Sequence, residues 1–209
     1  MPAINSNEDA ELFAAAHAGD VRKARDAIDS GANVNSANPY NVTPLLEATG
    51  EGHLEMARFL IEQGAEVNYT GMSEGSPLTL AAYSGKLELL QLLLAAGADP
   101  NLSLPGGGET ALHMAAVTSH TEAVLLLLHA AANPNLHAKS GVVTSMFDGS
   151  VRLWGETPLH YAAAYGDEVM VQAMVQAGAD RQARNAHGET PLEYAGRHQR
   201  PRGIRTILK

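Results

Sequence analysis

Nine histidines are the side chains of this sequence best suited to metal or acid–base chemistry, and cysteine is absent. Without cysteine the chain can form neither disulfides nor thiolate metal sites. No two histidines stand four residues apart, the spacing that places a pair of zinc ligands on one face of a helix. The sequence therefore predicts no metal ion, no cofactor and no catalytic residue.

Three glutamates, Glu109, Glu156 and Glu189, stand at the same place before a threonine. Acidic side chains repeated at one place are expected to form a ladder on an open surface. General acid–base catalysis requires a carboxyl group whose pKa is shifted by an apolar pocket or by a close charge. An open ladder offers neither, so these carboxylates are better suited to contacting a partner than to catalysis.

A glycine-rich segment, residues 105–108, is the one candidate for a phosphate-binding loop. No Lys-Ser or Lys-Thr pair follows it and no strand is predicted before it, although a phosphate loop requires both. We therefore interpret the segment as a turn between two structural units.

Charge is distributed unevenly along the chain, whose net charge is −9. Residues 1–104 carry 5 basic and 14 acidic side chains, and residues 181–209 carry 7 basic and 2 acidic ones. An acidic protein is not expected to bind nucleic acid, because such binding depends on neutralising phosphates. The sequence also contains no apolar run of membrane-spanning length and no Sec-type signal peptide. We expect a cytoplasmic monomer that does not contact membranes, with export as an effector as the alternative.

Two series of residues recur along the chain and show which elements must position these side chains. The first series is Thr43-Pro44-Leu45 with counterparts at 76–78, 110–112, 157–159 and 190–192. The second is the Gly-Ala segment at 31–35 with counterparts at 64–68, 97–101, 131–135 and 178–180. Both series have a period of 33 or 34 residues and both lengthen to 47 at the same place. A period of this size is typical of stacked supersecondary units.

Each unit is predicted to contain two helices. The Thr or Ser can cap the first helix, and the Pro that follows suits the first helical position. Glycine favours the left-handed conformation that ends a helix. We expect the first helices to end in this way at Gly52, Gly85 and Gly166. We expect the second helices to end at Gly64, Gly97 and Gly178.

Residues 157–162 read T-P-L-H-Y-A, and residues 110–115 differ from T-P-L-H-x-A at one position. Over residues 8–209 the chain resembles the ankyrin-repeat family. The resemblance implies that His113 and His160 hydrogen-bond to neighbouring backbone. It also implies an all-α ankyrin-repeat solenoid, a single domain over residues 1–209. Its six helix-turn-helix units are 8–40, 41–73, 74–107, 108–135, 155–187 and 188–209.

The longer spacing leaves an insertion within residues 136–154. Residues 142–147 and 150–154 favour strands and flank Asp148-Gly149, a strong hairpin signal, so we predict a β-hairpin. Two interpretations are open: the hairpin folds down as a cover over units four and five, or it exposes Met146 and Phe147 at its tip to a partner. The insertion also resembles bacterial ankyrin proteins with a lengthened loop at this place.

Partners of ankyrin-repeat proteins usually contact the turn tips and the exposed side of the first helices, a concave strip. The resemblance therefore implies a protein–protein interaction module whose partner is another protein. A basic or mixed partner surface would complement the acidic first half. The alternative is a regulatory inhibitor or immunity-type protein that blocks an enzyme with help from the insertion, and an enzyme is the least favoured interpretation. The expected contact residues are Tyr40, Glu51, Met72, Tyr83, Glu109, Val117, Glu156, Tyr165, His187 and Arg197, with Met146 and Phe147 of the insertion.

Overall fold

The structure, a computed structural model, describes residues 6–71, 75–144 and 151–209. Contacts between residues divide the chain into two compact units. The first comprises residues up to 81 together with 88–98, and the second comprises residues 82–87 and 99–209. The single-domain assignment of residues 1–209 therefore stays a prediction, and each unit is described by itself.

Helices arranged in consecutive pairs make up most of the described chain. Each pair lies within one of the six predicted repeat segments, except that α1 begins one residue before the first segment. No helix among the described residues is long and apolar enough to cross a bilayer. In chain order the helices are α1 (Asn7–Ala18), α2 (Val21–Asp29), α3 (Pro44–Glu51), α4 (Leu54–Glu62), α5 (Pro77–Tyr83), α6 (Leu87–Ala95), α7 (Ala111–Val117), α8 (Thr121–His129), α9 (Pro158–Tyr165), α10 (Glu168–Gln176), α11 (Pro191–Arg197) and α12 (Arg202–Ile207).

The helix starts follow from the Thr-Pro pairs. Thr43 Oγ1 accepts a hydrogen bond from Leu46 N at 3.3 Å, and Thr190 Oγ1 accepts one from Glu193 N at 3.3 Å. Pro44 and Pro191 each stand at the first helical position, where a missing N–H costs nothing. The predicted start of the first helix is confirmed at both places.

Most of the glycines predicted to end helices have the left-handed conformation, but Gly166 does not. Gly52, for example, has φ 88° and Gly178 also has φ 88°. Helix α9 ends at Gly166 as predicted, but Gly166 has φ −73° and ψ 173°, so the predicted left-handed conformation is wrong. A Cβ at Gly166 would lie 2.6 Å from Met170 Sδ and 2.8 Å from Ala162 O. Glycine is required there because neighbouring atoms approach closely, and not because of backbone conformation.

Leucine and alanine form the cores of both units. In the first unit α1 packs against α2 and α3, and α3 packs against α4, with Leu12 and Leu60 fully buried. In the second unit the first helices α7, α9 and α11 pack in sequence, as do the second helices α8, α10 and α12. Leu112, Leu127 and Leu159 are buried between them. Small residues such as Ala115 and Ala163 let these helices approach closely.

The insertion forms the predicted antiparallel hairpin. Strands β1 (Ser140–Thr144) and β2 (Val151–Trp154) pair with Ser140 opposite Trp154 and Thr144 opposite Val151. The register is irregular between Ser140 and Val143. The predicted turn at Asp148-Gly149 and the predicted tip residues Met146 and Phe147 lie outside the described residues.

Candidate binding surfaces

The turn between α2 and α3 carries Tyr40, the most exposed large hydrophobic side chain among the described residues at 78%. Asn38 Oδ1 accepts hydrogen bonds from Tyr40 N at 2.9 Å and Val42 N at 3.0 Å, and Asn38 N donates to Val42 O at 2.9 Å. Asn41 adopts φ 64°, which asparagine tolerates better than most residues. The turn is therefore held by its own hydrogen bonds while the tyrosine projects from it.

A cleft of about 380 Å³ lies beside this turn in the first unit. Val42 and Leu46 belong to a buried cluster with Tyr69, against which Phe13 and Leu80 pack. The apolar part of the lining is thus continuous with the protein interior. The cleft, which we call the first-unit cleft, is lined by Phe13, Asn38, Tyr40, Val42, Leu46, Glu47, Gly50, Glu51 and Leu80.

Three titratable side chains meet at the edge of this cleft. His17 Nδ1 lies 2.7 Å from Glu47 Oε1 and 3.8 Å from Glu51 Oε1. Each residue offers one possible metal-ligand atom, and these atoms lie within 4.8 Å of one another. This group is not apparent in the sequence, because His17 stands on α1 and reaches the two glutamates only when α1 packs against α3. Exposed groups of this kind are common without an ion, and we do not assign a metal site.

A second candidate surface, in the second unit, is a chain of rings and charges on α9 and α11. The rings of Tyr165 and His198 meet edge to face at 5.3 Å, and His198 lies 5.0 Å from the ring of Tyr194. The guanidinium of Arg197 lies 4.5 Å over Tyr194 and pairs with Glu189 at 3.2 Å. Burial raises the pKa of Tyr194 to about 12, so this phenol stays protonated. The structure thus brings the predicted residues Tyr165 and Arg197 into one cluster, which we call the ring cluster.

The other predicted contact residues are more scattered. His187 is exposed, and its ring lies 4.3 Å from the ring of Trp154 at the base of the insertion. Glu51 is exposed beside the first-unit cleft. Tyr83 and Val117 end α5 and α7 and are half-buried. Met72, like the insertion tip, lies outside the described residues.

Two predicted contact residues are buried instead of exposed: Glu109 is 1% exposed and Glu156 is 3% exposed. Glu156 Oε2 accepts a hydrogen bond from Trp154 N at 2.8 Å. The carboxylate of Glu109 lies against Gly107, where a Cβ would collide with it. Both side chains fold back onto the loop that precedes their own helix, so the open ladder does not form and neither residue can be offered to a partner.

The histidines of the T-P-L-H segments have the predicted backbone contacts. His113 Nδ1 lies 3.1 Å from Thr110 N, and its Nε2 lies 3.3 Å from Glu156 O in the next repeat. His160 repeats the arrangement with Thr157 N at 3.1 Å and Glu189 O at 3.0 Å. Burial lowers the pKa of His113 to about 4 and also lowers that of His160. These rings are neutral hydrogen-bonding connectors between repeats.

A possible serine-nucleophile pattern, G-x-S-x-G, occurs at residues 71–75. Ser73 lies outside the described residues. Gly71 and Gly75 face each other in an isolated antiparallel bridge, with Gly71 N donating to Gly75 O at 3.0 Å. The preceding element is helix α4, whereas a nucleophile elbow follows a strand. The described residues around this pattern therefore form a turn between helices.

Comparisons with known proteins agree with the helix pairs. The family model described as ankyrin repeats (3 copies) matches residues 12–104, 70–138 and 136–209. The crystal structure of an ankyrin repeat domain from Acinetobacter baumannii AYE is 29% identical to this chain and superposes with a TM-score of 0.78. That similarity covers 94% of this chain and 95% of the other. No curated protein matches the chain significantly.

Proposed function

Because the chain belongs to the ankyrin-repeat family, whose repeats generally mediate protein–protein binding, we propose that it binds a protein partner through its turn tips and first helices. The observation that carries this proposal is Tyr40, which is 78% exposed on a turn held by Asn38. Tyrosine contributes large contact area with little loss of rotamer freedom, and it is enriched among residues that dominate binding energy. A turn already ordered before binding lowers the entropic cost of association.

The ring cluster supports the same proposal for the second unit. Tyr165 is 41% exposed, and its ring is held by the edge-to-face contact with His198. Arg197 is exposed while its guanidinium is oriented by Tyr194 and Glu189. A fixed aromatic ring beside a fixed cation is a combination suited to an interface, where Tyr and Arg are both enriched.

The test begins with affinity purification of a partner, followed by titration of the purified pair. Changing Tyr40, Tyr83 and Tyr165 together to Ala should leave the helix content unchanged and cost about 2 kcal/mol or more of binding free energy, roughly thirtyfold in Kd. The matched control is Leu125→Ala with Val169→Ala, which removes two exposed apolar side chains from the second helices α8 and α10. This control should leave Kd unchanged.

If affinity is instead lost in the control variant and kept in the tyrosine variant, the interface lies on the second helices. The identity of the partner also tests the regulatory alternative. An enzyme whose activity falls when the complex forms would support an inhibitor.

A further inference from the structure

We propose that the first-unit cleft receives an arginine side chain of the protein partner. This inference rests on the proposed function, because the arginine is supplied by the bound protein. The cleft has a volume of about 380 Å³. Pockets for small ligands begin at about 300 Å³, so the space suits one long side chain rather than a folded element.

The walls of the cleft match the uncharged part of an arginine. Phe13, Leu46 and Leu80 supply apolar surface, against which the three methylenes of arginine can pack. Tyr40 also lines the cleft and leaves most of its surface exposed. The flat guanidinium stacks on aromatic faces, and arginine does so more often than lysine.

The rim of the cleft matches the charged part. Glu47 and Glu51 stand four residues apart on α3, so their side chains share one face of the helix. Both carboxylates lie within 3.8 Å of the same nitrogen, His17 Nδ1, and the two groups are therefore close to each other. A guanidinium has five N–H donors in one plane and can bridge two carboxylates, which a lysine ammonium does with less geometric specificity.

The surroundings favour a cation over an anion or a neutral group. None of the nine residues that line the cleft is basic, and His17, which contacts Glu47, stands at its edge. Residues 1–104 carry 14 acidic and only 5 basic side chains, so the part of the chain that forms the cleft is acidic. Complementary charge speeds association and rejects partners with the wrong sign.

The experiment titrates N-acetyl-L-arginine amide into the ¹⁵N-labelled full chain at low salt, with EDTA present so that no metal ion bridges the carboxylates. N-acetyl-L-citrulline amide is the control probe, because it has nearly the same shape without the charge. We expect saturable amide shifts with arginine, centred on Tyr40, Gly50 and Glu51, and no comparable shifts with citrulline. Added NaCl should weaken binding, because the carboxylates are partly exposed to solvent.

Two paired variants make the result specific to the cleft. Glu47→Gln with Glu51→Gln should weaken arginine binding at least about fivefold, because the charge-assisted hydrogen bonds are lost. Glu55→Gln with Glu62→Gln removes the same charge from exposed positions of α4. It should change Kd less than about twofold, because neither residue lines the cleft and exposed charges are screened by salt.

The inference is overturned if citrulline shifts the same amides equally, if Glu47 and Glu51 can be changed without effect, or if N-acetyl-L-lysine amide binds as tightly as the arginine probe. Failure here, with partner binding still sensitive to the tyrosines, would leave the proposed function in place. The converse result is that the arginine probe binds as expected but partner binding does not depend on the tyrosines. That result would overturn the proposed function, although the cleft would still bind a guanidinium group.

Discussion

One place in the repeat, three residues after the capping Thr or Ser, shows how different side chains can make the same hydrogen bond. Thr79 Oγ1 accepts from Ser76 N at 2.7 Å, and Glu193 Oε2 accepts from Thr190 N at 2.7 Å. His113 Nδ1 does the same for its own cap residue. His113 also has a second ring nitrogen, Nε2, which donates to Glu156 O of the next repeat, so histidine at this place joins two repeats.

Burial of the His113 ring makes the stability of the fold depend on pH, because burial lowers the pKa of this side chain. Nδ1 of His113 accepts and Nε2 donates, an arrangement that requires the neutral ring. Its pKa is about 4 in the folded chain, against an ordinary value of 6.5. Between these values the unfolded chain binds a proton that the folded chain does not. The free energy of unfolding should therefore fall by about 3 kcal/mol on this account as the pH is lowered across the window.

Urea unfolding of the wild type and of His113→Gln at several pH values between 4 and 6.5 would measure this contribution. The variant should be less stable near neutral pH and should lose much of the pH dependence. The same dependence in both proteins would show that other groups cause it. Part of the pH dependence should remain in the variant, because burial also lowers the pKa of His160.

Helix α8 is followed by an alanine at the place where three other second helices are followed by a glycine. Gly64, Gly97 and Gly178 have φ near 88°, and Ala131 holds the equivalent place with φ 62°. A side chain other than glycine in this conformation costs roughly 1–2 kcal/mol, because its Cβ approaches the following carbonyl. The end of α8 is therefore strained, whereas the ends of α4, α6 and α10 are not, because glycine stands there.

Replacing Ala131 by Gly should raise the free energy of unfolding by roughly 0.5–1 kcal/mol, because relief of the strain exceeds the added entropy of the unfolded chain. The neighbouring Ala130, with φ −83°, provides the control. Ala130→Gly should lower stability by about 0.5–1 kcal/mol, because no strain is relieved there. Denaturant titration of both variants measures the difference, and changes of the same sign would contradict the explanation.

The sequence was sufficient to predict the helix pairs because their signals are local and repeated. A capping hydroxyl followed by proline, as at Thr43 and Thr157, predicts a helix start wherever it occurs. Gly166 could not be interpreted in the same way, since the closeness of Met170 becomes apparent only when the chain is folded. A glycine required by packing and a glycine required by backbone conformation look the same in a sequence.

The candidate site was less predictable for a related reason. The period predicts which residues lie at turn tips, and Tyr40 is exposed at such a tip. The same reasoning predicts that Glu109 and Glu156 are exposed, whereas their carboxylates fold inward. The contact of His17 with Glu47 depends on how two helices pack, which the period does not specify.

At the scale of the whole molecule, the insertion lengthens the chain without interrupting the bonding between repeats in the second unit. Asn101 Nδ2 donates to Ala131 O at 3.3 Å, and its Oδ1 accepts from Asn133 N at 2.7 Å. Asn135 makes the equivalent bonds to Gly178 O at 2.9 Å and Asp180 N at 2.8 Å, across the insertion. The repeats on either side are therefore joined as if the extra residues were absent.

The base of the hairpin is also tied to the repeats on both sides. Lys139 N donates to Gly107 O at 2.6 Å, and Ala186 N donates to Trp154 O at 2.6 Å. Leu153 is completely buried. For the base of the hairpin, these contacts support the interpretation of the insertion as a cover. The interpretation of Met146 and Phe147 as a partner contact stays a prediction.

Replacing residues 142–152 by a short Gly-Ser link should therefore change the melting temperature little, because Lys139, Leu153 and Trp154 all lie outside the replaced segment. Leu153→Ala in the intact chain should instead cost about 2–5 kcal/mol, since it leaves a cavity in a buried site. Thermal unfolding compares the two variants directly. Equal falls in melting temperature would mean that the outer part of the hairpin also supports the fold. A normal melting temperature with lost affinity for the partner would assign the outer part to binding, because the repeats beneath it would then be intact.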